Sequence, residues 1–382
     1  MSIEGKLYIR LVRDGSGVGS VDIRSTRPLG ATRLLIGQSP EHALEVIPRI
    51  HHLCGYAQSF AALGAIRQAT EINPPEQTLL AQRCLVEAEI IREHGLRILL
   101  DWARFLGEAP SPAAKSLARF PAACRQALFG NGPAFAANTF AQPNPDHWRA
   151  AVSTMAETVR EHIFGMSVDD WPAGYGNDRD RWIDDNATIA ARFLHAVRRE
   201  NAADLGICGI QPLAEPADDP LRERLAGPDA DDFVARPTWD GQPRENSALP
   251  RATPHTSAPG LLNRLLARLD HVAGLVSAMN RSLDAIVDAS KAADQEKPTC
   301  GGTGLGRADS ARGRLYHYAA IDSGRITDYR ILAPTEWNFH PQGVVAEGLK
   351  TLNWIDESTV RQRAAWFINA IDPCVGFDLE LA

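Results

Sequence analysis

Near the C-terminus of this chain stands Asp372-Pro373-Cys374-Val375-Gly376-Phe377, and near its start stands Cys54-Gly55-Tyr56-Ala57. The first reads as a D-P-C-x-x-C pattern whose last cysteine has become phenylalanine. The second reads as a C-G-x-C pattern whose second cysteine has become alanine. Thiolates are soft ligands, and four of them converging from two segments would hold a pair of metals. One thiolate survives in each segment. The expectation is a fold that joins the two ends of the chain around part of a metal centre. Cys54 lies just past Pro48-Arg49-Ile50, where one helix can end and another begin; a helix N-terminus there would lower its pKa. Cys374 follows a turn that would expose its sulfur. Spacing alone leaves open the plainer reading, in which a single cysteine in an apolar stretch is a small core residue.

The bulk numbers allow a large core: 382 residues, 44% hydrophobic. A net charge of −7 gives no reason to expect nucleic acid as a partner. The opening Met1-Ser2-Ile3-Glu4-Gly5-Lys6 carries an acid early and is not a secretory signal. No stretch approaches about 18 uncharged apolar residues, so no membrane span is expected. The six cysteines (Cys54, Cys84, Cys124, Cys208, Cys300 and Cys374) are scattered, as in a reducing compartment rather than a disulfide framework. These features together predict a cytoplasmic protein.

Leu7, Ile9 and Leu11 alternate with Tyr8, Arg10 and Val12, and Arg13-Asp14-Gly15-Ser16-Gly17 supplies turn chemistry before Val18 to Ile23, which predicts a hairpin. Ser39-Pro40-Glu41 starts a helix, with helical spacing through Leu44, Ile47 and Leu63 and a kink expected at Pro48. Asn73-Pro74-Pro75 ends it, and Leu79, Leu85, Val86, Ile90, Ile91 and Leu99 are spaced as a second long helix. Further helices are expected near 146–164, 184–200, 258–292 and 357–369, and a second hairpin from Leu315 to Leu332 turning at Asp322-Ser323-Gly324. Residues 211–258, rich in Pro, Asp and Arg, read as a surface excursion. The fold class expected is mainly α with peripheral small β-sheets (α+β), residues 1–382 forming one continuous domain.

His51 and His52 offer an imidazole close to Cys54, although a solvated helix end is the commoner role. Cys300-Gly301-Gly302-Thr303-Gly304-Leu305-Gly306 has the glycines of a phosphate loop without its G-K-[ST] ending, and reads as a mobile loop leading to Arg312. Cys84 lies on a helical apolar face and reads as core, whereas Cys124 and Cys208 have no partner spacing. Trp171 and Trp182, with Asp169, Asp170 and the aspartates from 178 to 185, read as a polar surface turn.

Several segments resemble, in order and over nearly the whole chain, the large subunit of nickel–iron hydrogenases. Ile3-Glu4-Gly5-Lys6-Leu7 is similar to that family's R-I-E-G-H-L, and Leu29-Gly30-Ala31-Thr32 to its R-G-x-E. Gly37-Gln38-Ser39-Pro40-Glu41-His42-Ala43 is similar to G-R-x-P-x-x-A. Pro48-Arg49-Ile50 and Cys54-Gly55 stand where the family has R-I-C-G-x-C, with about three extra residues at His51-His52-Leu53. Gly241 to Arg251 resembles G-x-P-x-E-x-G-P-L-A-R, Ala311 to His317 resembles A-P-R-G-x-L-x-H, and Pro334-Thr335-Glu336-Trp337-Asn338 resembles P-T-T-W-N.

The departures from that family bear on function. Ala57 and Phe377 stand where it has the cysteines that bridge nickel and iron, Ala61 replaces a histidine, and Thr32 replaces a magnesium-binding glutamate. The resemblance therefore implies no stable nickel and no hydrogenase catalysis. Arg312 matches the arginine over the iron's cyanides, whose guanidinium fork suits charge-assisted hydrogen bonds. Glu4 matches a proton-relaying acid, a solvated strand acid being an equal alternative. This pattern resembles the HupK/HoxV group of hydrogenase maturation proteins. It implies a non-catalytic scaffold that holds the Fe(CN)2CO fragment transiently on Cys54 and Cys374, with iron-delivering hydrogenase maturation chaperones and the immature hydrogenase large subunit as partners. One alternative is a structural or interaction protein that kept the fold and binds no metal; another is a redox enzyme with a mononuclear metal.

Overall fold

The computed structural model describes residues 5–171, 177–185, 187–249, 259–289 and 301–382. Strands β1 (Leu7–Asp14) and β2 (Gly17–Ser25) form the expected hairpin. Leu7, Ile9 and Leu11 face the core on alternate positions of β1, while Tyr8 and Arg10 face out. The last strand, β6 (Phe377–Leu381), pairs in parallel with β1, from Leu7 opposite Phe377 to Leu11 opposite Leu381. The sheet order β2-β1-β6 thus ties the two ends of the chain together.

Helix α1 (Pro40–Ile50) is capped by Ser39, whose hydroxyl accepts the His42 N–H at 3.3 Å, and has Pro40 in its first turn. Pro48 lies inside α1; the break expected there falls later, at a 3-10 turn over His52–Cys54 that leads into α2 (Gly55–Thr70). After the prolines, α3 (Glu76–Leu96) runs on through a π-helical segment, Arg97–Trp102. Helix α4 (Ala114–Phe129) was not foreseen in the sequence. Helices α5 (Pro145–Val159), α6 (Asn177–Asp184), α7 (Ile189–Arg199), α8 (Asp218–Ala226) and α9 (Ala230–Ala235) follow. The longest helix is α10 (Leu261–Asp288). It packs beside α3, and both contribute to the main apolar core with α4, α5, α7 and the C-terminal helix.

A second sheet, all antiparallel, is built from β3 (Gly302–Ser310), β4 (Gly313–Asp322) and β5 (Arg325–Leu332). The glycine-rich run expected to be a mobile loop is therefore a strand from Gly302 onward; Cys300 lies outside the described residues. Its glycines have a packing reason. Alanines 61, 65 and 69 make a small-residue stripe on α2, and β3 lies directly on it. A Cβ added at Gly304 would stand 1.9 Å from the Ala65 carbonyl oxygen, and one at Gly306 would stand 1.8 Å from that of Ala61. Only glycine permits that approach.

Between β5 and β6 lie α11 (Pro334–Asn338), α12 (Val344–Leu349) and α13 (Glu357–Ile371), the last capped by Asp356. Aromatic packing joins α13 to the core: Phe193 meets Trp366 edge-on at 5.4 Å and Trp102 at 5.1 Å, and Trp102 donates to the Asn369 side chain.

Two other expectations change. From residue 211 to 249, the stretch read as a surface excursion is anchored: Leu221, Leu225, Phe233 and Val234 are buried against Leu305, Tyr316 and Trp337. The Arg264–Glu245 pair is also buried, at 2.8 Å. Trp171 and Trp182 are core rather than a polar surface turn, stacked edge-on at 4.9 Å. Trp182 donates to the Phe164 carbonyl, and Trp171 to Asp270, which also pairs with buried Arg179.

Candidate metal centre

Cys54 ends the 3-10 turn and stands at the N-cap position of α2. The orphan N–H groups of that helix are met from elsewhere: the Glu89 carboxyl on α3 accepts from Tyr56 at 2.9 Å and Ala57 at 3.1 Å. The Cys54 sulfur is left to the pocket, where the Gln58 amide lies 3.7 Å away. Gln58 is held by its carbonyl oxygen against His317 Nε2 at 2.8 Å, and His317 is held in turn by the Tyr329 hydroxyl at 2.7 Å.

Cys374 enters the same pocket from the other end of the sequence. Asp372 terminates α13 in a left-handed conformation, φ 64°, and turns the chain so that Cys374 meets Thr335, whose hydroxyl lies 3.1 Å from the sulfur. β6, which begins three residues further on at Phe377, fixes this turn against β1. Both cysteines are half-buried, and all cysteines among the described residues are free thiols.

Arg312 occupies the β3–β4 turn, where the Ser310 hydroxyl accepts its backbone N–H at 3.3 Å and the Asn338 side chain donates to its carbonyl at 3.3 Å. Its side chain is 3% exposed and gives one arm, Nη2, to Glu93 at 2.8 Å. Nε and Nη1 are buried without a hydrogen-bond partner. Asp372 lies 3.7 Å from Arg312 and accepts from Arg97 at 2.8 Å, with Arg268 at 3.8 Å. Burial would raise the Asp372 pKa, but these three guanidinium groups outweigh it and hold the carboxyl below its ordinary range.

The expected depression of the Cys54 pKa is not found. Burial pushes this thiol up to about 12, reinforced by charge on Cys374 and Glu89 and opposed by Arg312 and the Gln58 hydrogen bond. The α2 N-terminus cannot serve the sulfur because Glu89 already takes its N–H groups. His51 also lines the pocket and is neutral, burial with nearby Arg27 and His52 lowering its pKa to about 4. No group of three or more His, Cys, Asp or Glu gathers as a metal cage among the described residues. Glu4 lies outside them.

Other pocket residues escaped the sequence reading. Arg27, just after β2, is 8% exposed and forms an ion pair with buried Glu336. Glu336 was legible as a departure, standing where the resemblance has threonine in P-T-T-W-N. Arg27 had no such signal. The replaced positions are packing positions: Ala57 and Ala61 are fully buried with Ala308, Ala311 and Leu315, and Phe377 packs from β6.

Solved structures share this architecture. The nickel–iron–selenium hydrogenase of D. vulgaris Hildenborough, in its reduced state, superimposes with a TM-score of 0.68 at 17% identity, over 95% of this chain and 94% of that one. The nickel-dependent hydrogenase family matches residues 245–357. The hydrogenase expression/formation protein HoxV of Cupriavidus necator is 30% identical, across 94% of this chain and 92% of that protein. The chain belongs to the HupK/HoxV family of hydrogenase expression/formation proteins. HupK of Rhizobium leguminosarum bv. viciae is 29% identical over 95% of the chain and 92% of its own length. The HupK/HoxV chain thus has a hydrogenase large-subunit fold, with two thiols and a partly unpaired arginine in one pocket. No helix among its described residues is long and apolar enough to cross a membrane.

Proposed function

We propose that this protein serves hydrogenase maturation as a non-catalytic scaffold, holding an iron that carries two cyanides and a carbon monoxide before the iron passes to the large subunit. The observation that carries this reading is the pocket itself: two free thiols beside a buried guanidinium whose Nη1 makes no hydrogen bond. Those groups suit the cargo. Thiolates ligate iron, and Nη1 of Arg312, which makes no hydrogen bond while Nε faces Asp372, can donate a charge-assisted hydrogen bond to a cyanide nitrogen. The Thr335 hydroxyl and the Gln58 amide adjoin the two sulfurs and would steady them as thiolates. A site that lacks the bridging pair of thiolates holds iron less firmly than the complete site, which is what a donor to that acceptor requires. The partners this role implies are the chaperones that deliver the iron and the immature large subunit that receives it, and both meet in the cytoplasm.

The test is infrared spectroscopy on protein purified without oxygen from cells that express the maturation machinery. Cyanide and carbon monoxide stretches are expected in the wild type and should vanish in Cys54→Ala and in Cys374→Ala. A wild type without bands, together with normal large-subunit maturation in the doubly substituted strain, would replace this reading with a purely structural role.

A further inference from the structure

Arg312 accounts for one side of cargo recognition, but it is not alone among the pocket cations. Arg27 lines the same pocket from the segment after β2, far from Arg312 in sequence, and its side chain is 8% exposed. One nitrogen, Nη1, is bound by Glu336. The rest of the guanidinium makes no hydrogen bond among the described residues, so its remaining donors are available to a ligand. Its charge acts on both sulfurs: Cys374, Glu336 and Cys54 raise its pKa against the effect of burial. The pocket therefore presents two guanidinium groups, on separate elements, around one pair of thiols.

We infer that Arg27 is a second cyanide-recognising side chain, and that with Arg312 it makes the pocket select iron already carrying anionic diatomic ligands over the bare metal ion. This rests on the iron-scaffold reading above. A bare divalent cation would meet two fixed guanidinium groups in a low-dielectric pocket, where the one carboxylate of the lining, Glu336, is already paired with Arg27, and the two cations would repel it. Cyanide ligands reverse that interaction, because their nitrogens are acceptors turned outward toward N–H groups. The fork matters as well as the charge, since a lysine ammonium is a compact point donor. Glu336 acts as a positioning residue that holds Arg27 in the pocket wall.

Two variants test this. Arg27→Lys keeps a cation opposite Glu336, and the double variant Arg27→Gln, Glu336→Gln removes the ion pair without leaving a buried charge. Each is purified with the maturation machinery and compared by infrared spectroscopy with the wild type. Both should shift the cyanide stretches more than the carbon monoxide stretch and lower iron occupancy roughly tenfold, the loss of one charge-assisted hydrogen bond. In equilibrium dialysis with ferrous ion alone, the double variant should bind roughly tenfold more tightly than the wild type. Unchanged cyanide frequencies and occupancy in both variants would overturn Arg27 as a ligand-recognising residue while leaving the scaffold standing. Equal ferrous affinity in the wild type and the double variant would overturn the selection against bare metal. A wild type without bands would instead overturn the scaffold reading, and this inference with it.

Discussion

At the scale of single residues, Arg312 and Cys54 illustrate how burial changes what a side chain does. Arg312 helps to balance Glu93 and Asp372, which keep Arg92 and Arg97 as partners when it is removed. Arg312→Met should cost about 2–3 kcal/mol in urea denaturation. Arg312→Lys keeps the charge and should fold, with a loss nearer 1–2 kcal/mol, yet lose the cyanide bands because the fork is gone. Cys54 is protonated at neutral pH, its thiol raised to about 12. In the apo protein its alkylation by iodoacetamide, read on the Cys54 peptide by mass spectrometry, should keep rising beyond about pH 10 instead of levelling near pH 9. In the proposed role, ligation of iron by this sulfur would release a proton.

At the scale of elements, the contact between α2 and β3 sets the position of the pocket floor. Gly306→Ala would place a methyl group 1.8 Å from a backbone oxygen of α2. The strand must move or the helix must bend, and roughly 3 kcal/mol of stability should be lost, measured by chemical denaturation. The other end of α2 carries a pH dependence. Burial raises the Glu89 carboxyl to about 7 from its ordinary 4.5, although the Tyr56 and Ala57 N–H groups oppose the rise. The folded protein therefore holds this proton more tightly than the unfolded chain. Its contribution is complete below about pH 4.5 and is lost as the pH climbs through about 7. Over that range the wild type should lose on the order of 2 kcal/mol that Glu89→Gln does not lose, with urea midpoints at pH 5 and pH 7.5 as the measurement.

The whole molecule is closed by its two ends. Cys374 is placed by Asp372, by Thr335 and by the parallel pairing of β6 with β1, three constraints from three parts of the chain. Deleting Phe377–Ala382 removes β6 while leaving the helical core. Far-ultraviolet circular dichroism should change little, and the cyanide bands should fall roughly tenfold as Cys374 loses its anchor. Asp372→Asn tests the same closure through charge. It leaves Arg97, Arg268 and Arg312 short of a counter-ion and should cost about 3–5 kcal/mol in urea denaturation.

Much of this was written locally. The alternation of β1, the Ser39-Pro40 cap, the long apolar face of α3 and the half-motifs around Cys54 and Cys374 each depend on residues close in sequence, and each was legible there. The β3 strand was misread because the reason for its glycines lies on α2, not beside them. The two tryptophans were misread because aspartates surround them in sequence, whereas Phe164 and each other surround them in space. Arg27 carried no local signal, since its partners Glu336, Cys54 and Cys374 come from three distant segments. The sequence by itself determined the fold class, the family likeness and the surviving cysteine of each half-motif. Only the tertiary structure decided the protonation of Cys54, the free arm of Arg312 and the presence of Arg27, because burial and charge pairing are properties of neighbours in space.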